Sequence, residues 1–304
     1  MQKTDWIWVN GKLVNWDEAK VHVLTHALHY GTGIFEGIRC YETQKGPAVF
    51  RLKDHISRMM DSAKIYLMKL SYSEQELADA VVQTIRSNKL KECYIRPIAF
   101  YGYGEMGLNP LHNPIDVAIA AYPWGTYLGE EGLRKGVRCK VSSWCRLDPR
   151  VFPPLAKATA NYLNSVLAKV EALQTGYDEA IVLTTSGTVS EGPGENIFIV
   201  KNSELITPWV ATGPLQGITM ASVKQIAQGF GIRIVEREVL REELFLADEV
   251  FFTGTAAEVT PIREVDGRII GSGTRGPITE KLQAKFFEIV RGKDQAYAKW
   301  LTFV

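Results

Sequence analysis

Five glycines and prolines within fourteen residues (Pro123, Gly125, Gly129, Gly132 and Gly136) interrupt the chain near its middle. A regular helix or strand is not expected to run through so many breakers, so the segment reads as a linker. With about 150 residues per domain as a guide, the 304 residues divide into a smaller domain over 1–124, a linker over 125–136 and a larger domain over 137–304. Strand and helix patterns occur on both sides of it. The fold class expected is therefore mixed α/β (α+β) in two lobes, with a ligand cleft between them.

Local signals fill in that frame. Trp6-Ile7-Trp8-Val9, Asn10-Gly11 and Lys12-Leu13-Val14 spell a hairpin with a two-residue turn. Asp54 is placed to cap a helix running to about Leu67, and Ser73-Glu74-Gln75-Glu76 is a capping box opening a helix to about Arg86. Strands are expected at 93–101 and 116–122, with an irregular loop over 102–114 between them. In the second half, helices are expected over Thr159–Gln174, Thr219–Phe230 and 278–291, among strands that include Val137–Ser142, Glu179–Thr184 and Asn196–Val200.

Composition excludes several function classes. The 35 Lys+Arg against 34 Asp+Glu leave no basic footprint for nucleic acid or an acidic membrane. No apolar run approaches the ~20 residues of a membrane helix, and the first residues lack a signal-peptide core. Cys40, Cys93, Cys139 and Cys145 show no C-x-x-C spacing, which points to reduced thiols in the cytoplasm. Gly31-Thr32-Gly33-Ile34-Phe35-Glu36-Gly37 has the wrong spacing and context for a dinucleotide fingerprint and reads as tight turns beside a packed strand. His22, His26 and His29 have no acidic partner at ligand spacing and are expected in the core or an interface, so no metal is expected. G-x-S-x-G and the P-loop are both absent.

Three segments remain as carriers of chemistry. Gly217-Ile218-Thr219 stands before an amphipathic stretch, where it is either a phosphate site on free N–H groups or an ordinary cap at Thr219. Lys157 lies among small apolar residues just before a helix, and desolvation there would lower its pKa and make the amine a nucleophile or base. Glu191 sits in the glycine-rich turn Ser190-Glu191-Gly192-Pro193-Gly194, held either for a ligand or as a loop acid facing water.

Taken together, these segments resemble the branched-chain-amino-acid aminotransferases, pyridoxal-phosphate enzymes of fold type IV, the fold of D-amino-acid aminotransferase and aminodeoxychorismate lyase. The motifs run in the family's order along essentially the whole chain: His26-Ala27-Leu28-His29-Tyr30-Gly31 with Phe35-Glu36-Gly37-Ile38-Arg39, His55-Ile56-Ser57-Arg58, and Tyr94-Ile95-Arg96-Pro97. Then come Ala156-Lys157-Ala158 with Asn161-Tyr162, Ser190-Glu191-Gly192 with Asn196, Gly217-Ile218-Thr219, and Thr253-Gly254-Thr255-Ala256-Ala257-Glu258.

The resemblance implies transamination of leucine, isoleucine and valine with 2-oxoglutarate, on pyridoxal 5′-phosphate held in the interdomain cleft. It implies that Lys157 is the lysine joined to the cofactor and the catalytic proton carrier. Glu191 would hold the pyridine nitrogen, Tyr162 the phenolic oxygen and Leu215 the ring face. The phosphate would take Ile218, Thr219, Arg58 and Thr255. For the substrate it implies Thr255, Ala256 and Tyr94 at the α-carboxylate, and Tyr30, Phe35, Gly37, Trp124 and Tyr127 around the aliphatic chain. Arg96 would meet the distal carboxylate of glutamate. Family members form dimers, with hexamers among prokaryotic relatives, and the loop over 103–109 with Leu108 would enter the neighbouring subunit's site. Met220, Gln216 and Thr159 depart from the residues common at their positions (arginine, proline and glycine), which leaves the surroundings of the phosphate and the lysine open. D-Amino-acid or (R)-amine transfer on the same fold is the alternative activity, and a non-catalytic amino-acid-binding protein a remote one.

Overall fold

The computed structural model describes residues 2–125 and 127–304, so Thr126 of the expected linker lies outside the described residues. Contacts divide the chain into two compact units. One is Met1–Trp124 with Ala156–Ala160 and Ile289–Val304; the other is Gly125–Leu155 with Asn161–Glu288.

The first unit opens with the hairpin, β1 (Trp6–Val9) and β2 (Lys12–Asn15), whose turn residues Asn10 and Gly11 have φ of 47° and 89°. There follow α1 (His26–Tyr30), β3 (Gly33–Phe35), β4 (Ile38–Thr43), β5 (Gly46–Phe50), α2 (Leu52–Ile65), α3 (Glu74–Ser87), β6 (Cys93–Tyr101) and β7 (Ile115–Tyr122). They form an antiparallel sheet in the order Leu301–Phe303, β5, β4, β6, β7, β1, β2, with β3 also paired to β6. Strand β6 meets β4 through residues 93–95 and β3 through 98–100. Pro97 falls in the gap between those partners, where its missing N–H costs no ladder bond. Its carbonyl accepts the Glu36 N–H at 2.8 Å, which fixes the turn between β3 and β4.

Helix α2 buries Leu52, His55, Ile56, Met59, Ser62 and Ala63, the spacing of one helical face. It begins earlier than Asp54: Arg51 is the N-cap residue, in a left-handed conformation, and its Nε donates to Asp54 in the first turn at 2.5 Å. The capping box of α3 forms as expected, with the Ser73 N–H on Glu76 at 2.7 Å and the Glu76 N–H on Ser73 Oγ at 3.3 Å. Both helices contribute to a core that includes Ile34, Ile38, Ile56, Met59, Leu77, Val81, Ile95 and Ile119.

In the second unit, part of the expected linker is a helix, α4 (Gly129–Lys135). The breakers are compatible with it because Gly129 and Gly136 stand at its ends with φ of 78° and 95°. Inside it, a Cβ on Gly132 would come within 3.0 Å of Val137. Then come β8 (Val137–Val141), α5 (Tyr162–Gln174), β9 (Glu179–Leu183), β10 (Val189–Glu191), β11 (Asn196–Lys201), β12 (Glu204–Pro208), α6 (Ile218–Gly229) and β13 (Ile234–Arg237). After them are α7 (Arg241–Leu246), β14 (Glu249–Gly254), β15 (Glu258–Val265) and α8 (Pro277–Val290). The sheet is mixed, ordered β10, β9, β8, β15, β14, β11, β12, β13, with β8 parallel to β9 and β15 and β12 parallel to β13.

The segment 156–160, expected in the larger domain, belongs to the first unit because its polar groups are satisfied there. The Phe35 N–H donates to Lys157 O at 3.0 Å, and the Lys157 N–H to Ser62 Oγ at 3.0 Å. Thr159 Oγ1 donates to Gly31 O at 2.7 Å and accepts the Gly33 N–H at 3.2 Å. Helix α5 accordingly starts at Tyr162, after a 3₁₀ turn over Thr159–Asn161.

The N-terminus of α8 rests on a carboxylate. Buried Glu249 accepts the Ile278 N–H at 2.9 Å, the Thr279 N–H at 2.7 Å and the Thr279 hydroxyl at 2.6 Å. Those backbone donors have no partner inside the helix, and a negative charge suits that end of it. Glu249→Gln removes the charge and leaves a buried amide facing donors. It should cost about 1–3 kcal/mol in urea unfolding, and an unchanged midpoint would contradict this account.

Candidate active site

Lys157 is the centre of the first unit's cluster. Its backbone is tied to Phe35 and Ser62, its side chain is half-buried, and Nζ lies 5.0 Å from the Phe35 ring centroid. Burial and the Arg58 guanidinium lower its pKa from 10.5 to about 8, with Glu36 and Tyr94 opposing and Arg96 assisting. An amine that gives up its proton near pH 8 can act as base or nucleophile under mild conditions.

Behind it stand three residues that act together. Glu36 is fully buried and takes two bonds from Arg58, Nε to Oε1 at 2.7 Å and Nη2 to Oε2 at 2.8 Å. His55 Nδ1 donates to the same Oε2 at 2.7 Å. Burial alone would raise the Glu36 pKa, but Arg58 and His55 hold it far below the carboxylate range. Burial depresses the His55 pKa against the pull of Glu36, so the ring is a neutral donor.

An aromatic wall adjoins this cluster. Arg96 lies over the rings of Phe35 (4.7 Å) and Tyr94 (5.3 Å), and its Nη2 donates to the Tyr94 hydroxyl at 3.4 Å. Among the described residues, buried Arg96 Nε has no hydrogen-bond partner. Tyr94 is 5.4 Å from Trp124, and Tyr122, missing from the sequence reading, is 5.8 Å from Trp124. A Cβ on Gly37 would fall 2.0 Å from the Tyr94 hydroxyl oxygen, so any side chain there must displace Tyr94. Phe35, Gly37, Tyr94, Arg96 and Trp124 thus lie in one chain of contacts.

Tyr30 donates its hydroxyl to Met106 O at 3.0 Å, and Leu108 is 82% exposed on the same loop. Buried His26 braces the loop by donating Nε2–H to Gly107 O at 2.9 Å while Nδ1 takes the Thr32 hydroxyl at 2.8 Å. Tyr127 belongs to the second unit, with its ring 5.3 Å from Lys169 Nζ.

The second unit builds its own cluster around Glu191, at the end of β10, where the pairing with β9 is irregular between Val189 and Glu191. Such a bulge re-aims a side chain. Glu191 is buried, paired with Arg146 Nε at 2.9 Å, and accepts the Leu215 N–H at 3.1 Å. It is therefore not a loop acid facing water. Asn196 Nδ2 donates to Leu215 O at 2.8 Å and reaches Glu191 Oε2 at 3.4 Å. Helix α6 begins at Ile218 with Gly217 as N-cap residue and no side-chain cap, so Thr219 is a buried first-turn residue and not the cap.

The departing residues also have places. Met220 is buried in α6, and the Thr159 hydroxyl is spent on the 31–33 segment. Thr255 and Ala256 form the turn between β14 and β15, preceded by Thr253, whose buried hydroxyl has no hydrogen-bond partner among the described residues. Tyr162 is the first residue of α5. Arg146, Glu36 and His55 escaped the sequence reading. Glu36 and His55 lie inside quoted motifs, whereas Arg146 has no local signature.

The sequence model of the family described as amino-transferase class IV matches residues 33–265. The chain belongs to that family. It is 49% identical to the branched-chain-amino-acid aminotransferase of Pseudomonas aeruginosa, over 98% of this chain and 97% of that protein. Its fold matches the crystal structure of the Escherichia coli branched-chain amino acid aminotransferase with a TM-score of 0.97 at 49% identity, covering 98% and 99% of the two chains. The T.th. branched-chain amino acid aminotransferase complexed with N-(5′-phosphopyridoxyl)-L-glutamate matches with a TM-score of 0.95 at 45% identity, covering 100% and 99%.

Two measurements check this site. Acylation of Lys157 in cofactor-free protein, followed by mass spectrometry against pH, should have its midpoint near the lowered value of about 8; a midpoint above about pH 10, the ordinary lysine range, would remove the case for a depressed amine. Gly37→Ala must displace the Tyr94 ring. It should lower kcat/KM by about tenfold or more with the thermal midpoint within a few degrees, whereas unchanged kinetics would show that Tyr94 does not define the pocket.

Proposed function

We propose that this chain is a branched-chain-amino-acid aminotransferase, which moves the amino group of L-leucine, L-isoleucine or L-valine to 2-oxoglutarate on pyridoxal 5′-phosphate. The products are the branched-chain 2-oxo acid and L-glutamate. The observation that carries the reading is the Lys157 amine set beside an aromatic wall that contains one arginine, Arg96. Such a wall accepts an aliphatic side chain against its rings and a distal carboxylate at its cation, so one pocket serves both substrates. The relative bound to N-(5′-phosphopyridoxyl)-L-glutamate supports both the cofactor and the glutamate half of the reaction.

The residues fit pyridoxal phosphate. Lys157 offers an amine of lowered pKa, Glu191 a buried carboxylate paired with Arg146, and α6 an N-terminus behind Gly217 with no side-chain cap. The reading assigns the phosphate to Arg58, Ile218, Thr219 and Thr255, the pyridine nitrogen to Glu191, the phenolic oxygen to Tyr162 and a ring face to Leu215. Bound pyridoxal phosphate supplies the aldehyde that takes up the amino group and the ring that stores the electron pair released at the α-carbon. Lys157 Nζ then takes and returns the α-proton, which a group that titrates near neutrality does well. The substrate α-carboxylate goes to Tyr94, Thr255 and Ala256, and its side chain to Tyr30, Phe35, Gly37, Trp124 and Tyr127.

The reading includes a homodimer working in the cytoplasm, with Leu108 of the partner subunit completing each pocket. Supporting the dimer, the first unit exposes the large apolar side chains of Val21, Val23, Leu24, Leu28, Tyr103, Leu108 and Leu111. Among the described residues no helix is long and apolar enough to cross a membrane.

The deciding experiment is an amino-donor panel against 2-oxoglutarate with L-leucine, L-valine, D-alanine and (R)-1-phenylethylamine. L-Leucine and L-valine should lead, and Lys157→Ala should lose full turnover by at least about 10³-fold. Fast D-alanine transfer without L-leucine transfer would overturn the substrate assignment.

A further inference from the structure

Glu36 has no part in the function as stated, yet it is a buried, ionised group held on every side. Its side chain is 0% exposed. Its own N–H is fixed on Pro97 O at 2.8 Å, and the Gly37 N–H approaches Oε2 at 3.3 Å. One carboxylate oxygen takes Arg58 Nε; the other takes Arg58 Nη2 and His55 Nδ1. Two parallel bonds fix both the plane and the direction of a guanidinium. A buried ion pair is seldom worth more to stability than apolar residues of the same volume. A pair placed within the electrostatic reach of Lys157 therefore calls for a role beyond holding the fold together.

We propose that Glu36 is the positioning residue for the phosphate end of the cofactor site: it aims Arg58 and offsets the arginine's charge at Lys157, with neutral His55 completing its hydrogen bonds. The inference rests on the reading that Arg58 binds the phosphate. Two consequences follow from the geometry. Without the carboxylate, Arg58 loses the bonds that set its orientation, and a dianion then binds an arginine that must first be ordered. The positive field on Lys157 also rises, because Arg58 and Glu36 act on that amine in opposite directions. The other groups facing the amine, Tyr94 and Arg96, are unchanged, and His55 lies in the same field.

The test uses the full-length protein stripped of cofactor, as wild type, Glu36→Gln, Arg58→Gln and the double variant, each checked for folding by circular dichroism. Pyridoxal phosphate affinity is read by fluorescence titration, and the Lys157 acylation midpoint by mass spectrometry against pH. Glu36→Gln should weaken cofactor binding about tenfold or more, and the double variant should bind no more weakly than Arg58→Gln alone. The Lys157 midpoint should fall in Glu36→Gln, where the carboxylate favouring the ammonium is gone, and rise in Arg58→Gln. Affinity in Glu36→Gln within twofold of wild type, while Arg58→Gln is weakened tenfold, overturns the proposal. Weakened binding with an unmoved Lys157 midpoint marks general damage and overturns it too. If Arg58→Gln itself binds within twofold of wild type, the phosphate assignment of Arg58 fails and the proposal falls with it. Should Glu36→Gln fail to fold, Glu36→Asp decides. Its side chain, one methylene shorter, draws the carboxylate back from the guanidinium while keeping its charge, so weakened binding at an unmoved midpoint supports the proposal and unchanged binding overturns it.

Discussion

The hydrogen bond from the Phe35 N–H to the Lys157 carbonyl is the contact on which the first unit's chemistry depends. It lays a five-residue strap, Ala156–Ala160, against β3 although that strap is remote in sequence. Ser62 takes the Lys157 N–H from one side, and the Thr159 hydroxyl ties down Gly31 and Gly33 on the other. Gly31 must be glycine, because its φ is +65° and a Cβ would approach Ala160 to 3.0 Å. The glycine-rich run at 31–37 is thus a seat for the lysine strap, which explains why it lacks the spacing of a nucleotide loop. Once the strap is seated, the amine has Phe35 as its neighbour and Arg58 and Glu36 in its field.

A formal charge of +1 over 304 residues says nothing about the buried charges of either unit, because they are few and paired at short range. Glu36 answers Arg58 in the first unit, and Glu191 answers Arg146 in the second. In both cases the buried carboxylate also accepts a backbone N–H, from Gly37 or from Leu215. Each pair is therefore held by its own main chain and shielded from the surface, which makes its field on a neighbouring group insensitive to salt. The lowered pKa of Lys157 follows from burial beside an arginine whose own charge is already answered by Glu36.

Features set by neighbours in sequence were legible. Asn10-Gly11 dictated its hairpin and Ser73 with Glu76 its capping box, since both signals act within four residues. The motif residues around Lys157 and along β6 were legible through resemblance. What failed was what distant contacts decide. Asp54 looked like a cap, but Arg51, held by its N–H on Trp300 O at 2.6 Å, turns left-handed and starts α2 earlier. The glycines of 129–136 looked like a linker, but two of them end a helix and the third makes room for Val137. Arg146 carried no signal because its partner, Glu191, is remote in the chain. Glu36 was in view within its motif, and only the fold shows that Arg58 and His55 converge on it.

In the second unit, the comparable economy lies in Asn196. One amide nitrogen reaches Glu191 and the Leu215 carbonyl, while its oxygen occupies the space that a Cβ on Gly217 would need, 1.9 Å away. The same side chain therefore sets the carboxylate at the end of β10 against the segment leading into α6. Any residue but glycine at 217 would push Asn196 aside and loosen both. The requirement for glycine there comes from a side chain packed on it from β11, since its own φ of −71° is open to any residue. The turn residues and the carboxylate are one mechanical unit, and a side chain added at Gly217 is felt at Glu191 through Asn196.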